Sequence, residues 1–388
     1  MNILHITNSY GGTDVYTNLY TALDSHYSID QHVYVPLNPK CFNRDGNKMI
    51  DFKNEGSEIV YSKNLKNYHS ILYGLKISNC VKDIKQKIDL ASIDLIHANT
   101  LCFDGAIAYE IYKKYGIPYI TAVRNTDVNT YYKRLVWREK YFTEVLKSAK
   151  KVIFISPKYK ESFEENHIPS ILRNELSAKM MVIPNGVNKL FLANQYKNEK
   201  VLKKTVRVIF IAAFYPGKGL IETIKAIELL RSEGLTITLN AIGKGLPNRP
   251  KDAEYVGEVE SMAKDRDWVK LQAFMTPNEL IEEMRNSDIF VMVSSPETFG
   301  LVYVEALSQG LPIVYTKGQG FDGFYDDGYV GYPAIAGNID SIAHALKSVI
   351  GNFSSLTSNI NSLSLDDDFN WSNIASKYMN LYNEIIVK

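Results

Sequence analysis

Two glutamates eight positions apart, Glu297 and Glu305, lie in the run Ser294-Ser-Pro-Glu-Thr-Phe-Gly-Leu-Val-Tyr-Val-Glu305, which follows an apolar segment that reads as a strand and opens one that reads as a helix. A strand-to-helix turn aims free backbone N–H groups and the positive helix end at one point, where a diphosphate can sit. The amides of Phe299, Gly300 and Leu301 are the donors placed there, and Gly300 lets the backbone come close. Glu305 falls about a turn into the helix, where a carboxylate accepts hydrogen bonds from a hydroxylated ligand, and Glu297 sits on the loop facing the same space. A ribose on one carboxylate and a sugar on the other fits that spacing. The structural alternative is a helix-capping Glu297 and a solvent-facing Glu305.

A second strand-and-turn pattern, Val208-Ile-Phe-Ile-Ala-Ala-Phe-Tyr-Pro-Gly-Lys218-Gly219, precedes the amphipathic stretch Leu220–Leu230. A lysine at such a helix start opposes negative charge developing on a departing phosphate; an exposed surface lysine is the alternative. The run is not a Walker A loop, since Ala212 stands five residues before Gly217 and Gly219 takes the Ser/Thr position. Near the start of the chain, Gly11, Gly12, Thr13 and Asp14 follow a first strand and precede a helix through Leu23. The glycines permit close approach of a ligand and Thr13 or Asp14 can cap the helix, as they would in a plain tight turn. His97, Asn99, Arg124, Asn125 and Asp127 fall at the carboxyl ends of expected strands, the edge where open α/β sheets bind ligands. For His97 a buried, hydrogen-bonded structural role is the alternative; Arg124, a cation at that edge, needs a partner. With no G-x-G-x-x-G fingerprint, a dinucleotide enzyme is not indicated.

These groups need elements to hold them. Short β-branched runs alternate with amphipathic stretches, as in parallel strands joined by crossover helices. The expected strands are Asn2–Thr7, His32–Val35, Leu95–Ala98, Tyr119–Val123 and Val152–Ile155, then Val206–Ala212, Thr236–Ile242, Val269–Ala273, Ile289–Val293 and Pro312–Tyr315. The 388 residues thus suit two α/β domains, 1–189 and 205–370, with a polar linker across 190–205 and a cleft between them. A last helix from Trp371 to Lys388, apolar at Ile374, Tyr378, Leu381, Tyr382 and Ile385, requires a surface to pack on.

Residues 1–190 hold 25 Lys and Arg against 19 Asp and Glu, and 191–388 hold 19 against 24. The basic first half suits an anionic substrate or surface, or is a solvated face with incidental bias. Lys133 to Phe142 reads as a basic helix interleaved with Leu135, Trp137, Tyr141 and Phe142 and followed by Lys147, Lys150 and Lys151; it fits an anionic leaflet or, equally, a solvated helix with a core stripe. No recognition motif points to nucleic acid. Cys41, Cys80 and Cys102 are widely spaced, which indicates neither disulfides nor zinc but buried small residues. No run is long and apolar enough for a membrane span, and the start reads as a strand, so the expected location is the cytoplasm.

The run 297–305 resembles the donor site of retaining glycosyltransferases of family 4, whose pattern is Glu-Gly-Phe-Gly-Leu with a second Glu at this spacing; only Thr298 departs from it. The continuation Ala306-Leu-Ser-Gln-Gly310-Leu-Pro312-Ile-Val also matches. Lys218-Gly219 carries over from the family's Gly-Arg…Lys-Gly element, whereas Ala212-Ala213 replaces Gly-Arg. Gly11-Gly12 resembles its Gly-Gly-x-Glu turn, and His97 its Asp-x-x-His-x-His, with Asn99 for the second His. Asn185-Gly186 resembles a hinge-side turn in which Asn-Gly supplies left-handed geometry, or is a mere turn; Phe369-Asn-Trp371 resembles the start of a C-terminal helix that returns to the first domain.

The likeness implies a GT-B type α/β fold, two Rossmann-like parallel-sheet domains facing across a cleft, the nucleotide on the second and the acceptor mainly on the first. It implies Glu297 and Lys218 as catalytic groups and Glu305 on the ribose. It assigns the base to the segments around Gly243 and Phe274, with a UDP-sugar favoured over a GDP-sugar. The implied reaction is retaining hexosyl or N-acetylhexosaminyl transfer without metal or cofactor. The acceptor is a glycan or lipid-linked intermediate of cell-surface polysaccharide synthesis, met in the cytoplasm or at the inner face of its membrane. A same-fold nucleotide-sugar epimerase and a non-catalytic partner subunit are the alternatives.

Overall fold

The apolar runs form two all-parallel sheets in a computed structural model that describes residues 1–37, 39, 49–245 and 250–387. By contact density the chain divides into two compact units. The first comprises residues 1–155, 160–186 and 371–388, and the second 156–159 and 187–370.

The first unit contains β1 (Asn2–Ile6), β2 (Asp30–Pro36), β3 (Glu58–Ser62), β4 (Leu95–Ala98), β5 (Tyr119–Ala122), β6 (Lys151–Phe154) and β7 (Met180–Val182), in the order β3-β2-β1-β4-β5-β6-β7. The helices Val15–His26 and Trp371–Ile386 pack together with this sheet: Leu19, Leu23, Tyr378, Leu381 and Tyr382 are buried with Ile3, Val33, Leu95 and Ile120. The C-terminal helix thereby covers its apolar stripe within the first unit.

Gly186 is not left-handed, contrary to the Asn-Gly turn reading. Its glycine is required by a close approach, because a Cβ there would lie 2.5 Å from the Trp371 indole. Gly186→Ala is expected to destabilise the fold by about 1–3 kcal/mol through overpacking. Gly11→Ala, where a Cβ meets nothing within 4 Å, leaves stability unchanged. Urea midpoints of the two variants check the pair.

The second unit contains β8 (Thr205–Ile211), β9 (Thr236–Ile242), β10 (Val269–Gln272), β11 (Ile289–Val291), β12 (Ile313–Thr316) and β13 (Gly331–Ala334), in the order β10-β9-β8-β11-β12-β13. The chain runs outward from β8 to one edge and then resumes at β11 on the other side, so β8 and β11 flank the point where strand order reverses. In open parallel sheets that crevice takes the ligand.

Three expectations are corrected. The polar stretch 190–205 is no free linker: the Tyr196 N–H donates to the Ser308 carbonyl, and Lys200 Nζ to the carbonyls of Arg285 (3.0 Å) and Ser287 (2.8 Å), all within the second unit. Residues 133–142 are not one basic helix. Val136–Arg138 is a single 3-10 turn, Glu139–Ser148 a separate helix, and Phe142 is buried. β3, β7 and β13 were not expected as strands, and each lies at a sheet edge. Cys80 and Cys102 are buried free thiols, while Cys41 lies outside the described residues, as does Lys388 of the expected last helix. Among the described residues no helix is long and apolar enough to cross a membrane.

Candidate active site

The loops after β8 and β11 are fastened to each other by glycines. Gly217 and Gly219 are left-handed, at φ 96° and 80°. A Cβ on Gly219 would lie 2.4 Å from the Val293 carbonyl oxygen, and the Ser295 N–H donates to the Gly217 carbonyl at 2.7 Å. This clasp carries Lys218 to Glu297: Nζ lies 2.9 Å from Oε2, with the side chains 18% and 11% exposed.

Glu297 is fixed on every side. Ser294 Oγ donates to the same Oε2 at 2.9 Å, the Thr298 N–H donates to Oε1, and the Glu297 N–H donates to Gln319 Oε1, both at 3.0 Å. Gly320, left-handed at φ 58°, leaves room for the Glu297 side chain where a Cβ would stand 2.7 Å away. Ser294 and Gln319 escaped the sequence reading. The available signal for Gln319 was its place between two glycines, Gly318 and Gly320, just beyond β12.

Helix Leu301–Ser308 begins at left-handed Gly300 with no side-chain cap. The N–H groups of Phe299, Gly300, Leu301 and Val302 find no acceptor among the described residues, so the helix end is an open anion receptor. The Phe299 ring is buried against Phe324 and Phe369, 5.6 and 6.1 Å between centroids, which leaves its backbone for a ligand. The carboxylate of Glu305, in the second turn of the same helix, has no hydrogen-bond or ionic partner among the described residues, and burial pushes its pKa up to about 7. A half-buried carboxylate without a partner is costly to the apo fold and is a ready acceptor for ligand hydroxyls.

Gly243 lies at the end of β9, its α-carbon against the Ala212 carbonyl, and its N–H already donates to Gln272. The missing side chain allows this close packing of neighbouring loops. Phe274, 51% exposed beyond β10, presents an open ring face with Lys244 Nζ 5.7 Å from its centroid. Ala212 and Ala213 bring no cation to the loop after β8.

In the first unit the expected ligand contacts separate into two groups. His97 is fully buried. Its Nδ1 bonds the Tyr382 hydroxyl at 2.7 Å, its ring lies 4.9 Å from Tyr378, and burial pulls its pKa down to about 3. Asn99, also buried, donates to Thr7 Oγ1 and the Tyr20 hydroxyl, and buried Asp127 accepts from the N–H groups of Leu101, Cys102 and Arg124. These contacts hold loops and the C-terminal helix together, while His97 Nε2 and Asn99 Oδ1 are buried without a hydrogen-bond partner among the described residues. Gly11 and Gly12 are exposed in a 3-10 turn, Thr13 Oγ1 accepts from the Val15 N–H, and Asp14 makes no capping bond. Arg124 remains partly exposed, with Nη1 donating to Asn185 Oδ1 at 3.2 Å, and Asn125 bonds Asn129.

Residues 15–189 match the description of Glycosyltransferase Family 4, and residues 193–359 that of Glycosyl transferases group 1. An uncharacterised glycosyltransferase of Methanocaldococcus jannaschii is 26% identical over 293 residues, 74% of this chain and 73% of that protein. The alpha-monoglucosyldiacylglycerol synthase of Acholeplasma laidlawii is 24% identical over 289 residues, 70% and 68%. Among solved structures, sucrose-phosphate synthase from Thermosynechococcus elongatus superposes with a TM-score of 0.73 at 18% identity, over 100% and 99% of the two chains. Anabaena HepE in complex with UDP gives 0.68 at 16%, over 99% and 100%.

Proposed function

From the premise that this chain belongs to glycosyltransferase family 4 and is a glycosyltransferase of the GT-B fold, we propose that it moves a hexosyl or N-acetylhexosaminyl group from UDP to a glycan or lipid-linked acceptor, with retention and without a metal ion. The observation that carries this reading is the Lys218–Glu297 pair, set beside the open amides of helix Leu301–Ser308 at the reversal of strand order, with unpartnered Glu305 on the same helix. UDP is favoured because HepE, of the same fold, is described with UDP.

In the proposed step the bond from the sugar's anomeric carbon to the diphosphate oxygen breaks, and its electron pair leaves on the diphosphate. The acceptor oxygen bonds the anomeric carbon on the same face, and its proton passes to the departing oxygen. Lys218 and the amides of Phe299, Gly300 and Leu301 neutralise the charge that develops there. Glu305 accepts the ribose hydroxyls. Glu297 holds the donor sugar's hydroxyls; its Oε2 is already engaged by Lys218 and Ser294, which suits electrostatic positioning better than nucleophilic attack.

Incubation with a UDP-sugar and acceptor, with and without a chelator, tests this reading by NMR of the new glycosidic linkage. Retained configuration at unchanged rate with chelator is the expected result. An inverted product or loss of rate with chelator would refute the stereochemical or the metal-free part, and sugar conversion in the absence of any acceptor would indicate an epimerase.

A further inference from the structure

The first unit contains a cavity of ≈ 400 Å³ lined by segments that follow β3 and β5. Its lining includes Lys66, Lys76 and Arg134 and no Asp or Glu; Lys66 and Arg134 have no carboxylate partner among the described residues, and Lys76 feels the buried Asp104 carboxyl without forming an ion pair with it. Lys76 Nζ sits 3.8 Å from the centroid of the Phe103 ring, and burial lowers its pKa. A desolvated ammonium beside two uncompensated cations favours an anion strongly. Tyr73 and Tyr131 close the walls edge to face at 6.2 Å, and Arg138 covers Tyr73 at 4.6 Å.

Asn67, His69 and Thr130 also line the cavity, but much of the surface beside it is apolar. Ile71 and Leu135 line the cavity, and the chain beyond them exposes Leu72, Leu75, Val136 and Trp137; Ile71 is 83% exposed and Trp137 73%. Exposed aliphatic side chains and an indole around a ring of cations match a headgroup boundary, where tryptophan settles and Lys and Arg meet lipid phosphate. The sequence showed only the 133–142 half of this surface. The 66–76 half carries no motif and joins it through the fold.

We propose that this cavity seats the phosphate head of a lipid, with Lys66, Lys76 and Arg134 on the phosphate and Ile71, Leu75, Val136 and Trp137 entering the lipid surface. The inference rests on the transfer reading above and names the chemical class of its lipid partner.

Flotation of the intact protein with phosphatidylcholine vesicles, with or without phosphatidic acid, provides the test. Retention is expected only on the anionic vesicles, falling roughly 5-fold for each cation removed in Lys66→Ala and Arg134→Ala. It should also fall in Trp137→Ser, which alters no charge. Equal retention on both vesicle types, unchanged retention in these variants, or full displacement by inorganic phosphate at equimolar lipid phosphate would overturn the proposal; the last outcome would mark a free-anion site. UDP-sugar titration of the same preparations separates the two readings. Flotation without sugar-nucleotide binding overturns the donor reading alone, and sugar-nucleotide binding without flotation overturns this one alone.

Discussion

Lys218→Ala is expected to lower kcat/KM for sugar transfer by roughly 10²- to 10³-fold, the usual effect of deleting one fixed donor at a site of developing negative charge. The size follows from position. Lys218 is held between two left-handed glycines on a loop clasped to the 293–297 turn, its ammonium 2.9 Å from Glu297, so the cation needs no reorganisation when the diphosphate departs. Ala212 and Ala213 supply no second cation on that loop. The deletion also strands Glu297, whose remaining donors are Ser294 and the Thr298 amide. Lys218→Arg keeps the charge without the geometry and should recover only part of the rate. Steady-state kinetics beside a thermal melt decide the matter: a variant with normal melting and normal rate would remove Lys218 from the mechanism.

Glu305→Ala should weaken sugar-nucleotide binding by roughly 10- to 100-fold, as expected for one or two hydrogen bonds to a carboxylate. The pH dependence is more diagnostic. Free Glu305 holds its proton up to about pH 7 because burial penalises its charge. A ribose diol donating to the carboxylate favours the charged form, so binding expels a proton near neutrality and affinity rises as pH climbs toward 7. Calorimetry in two buffers of different ionisation enthalpy measures this release, which Glu305→Ala should abolish.

The same shift has a sign for stability. A carboxyl whose folded pKa is raised binds more protons folded than unfolded, so the apo protein loses stability as pH rises from the ordinary carboxylate range through about 7. Glu305→Gln should therefore be the more stable protein above pH 7, with the gap closing under acid. A gap independent of pH would show that Glu305 ionises normally.

The fold class was legible because interior parallel strands are nearly continuous apolar runs, as in Val206–Ile211 and Thr236–Ile242. The missed strands are those the interior does not dictate. β3 begins at an exposed Glu58, β7 has three residues, and β13 carries Gly331 and Pro333, which only an edge tolerates. The 294–305 segment was legible as a motif, but its central contact was not. Lys218 and Glu297 are 79 residues apart, and their meeting depends on glycines whose partners are backbone atoms of another loop.

The contacts of His97, Asn99 and Asp127 were not legible for a related reason. Polar residues at strand ends look alike whether they face a ligand or a neighbouring element. His97 is claimed by Tyr382, 285 residues away on the C-terminal helix, and Asp127 by backbone amides of the loop after β4. Nothing local distinguishes those outcomes. The cavity at Lys76 was invisible for the same cause, since one lysine on an amphipathic helix carries no pattern until the 130–135 segment is folded beside it.

The most direct test of the donor site is incubation of the purified protein with UDP-, GDP- and ADP-sugars, following nucleotide release and sugar conversion, with Lys218→Ala and Glu305→Ala alongside. The account predicts release of UDP from a UDP-sugar, slow without acceptor, faster with it, and depressed in both variants. Conversion without release, release that survives both substitutions, or no turnover of any donor even with acceptor present would contradict it.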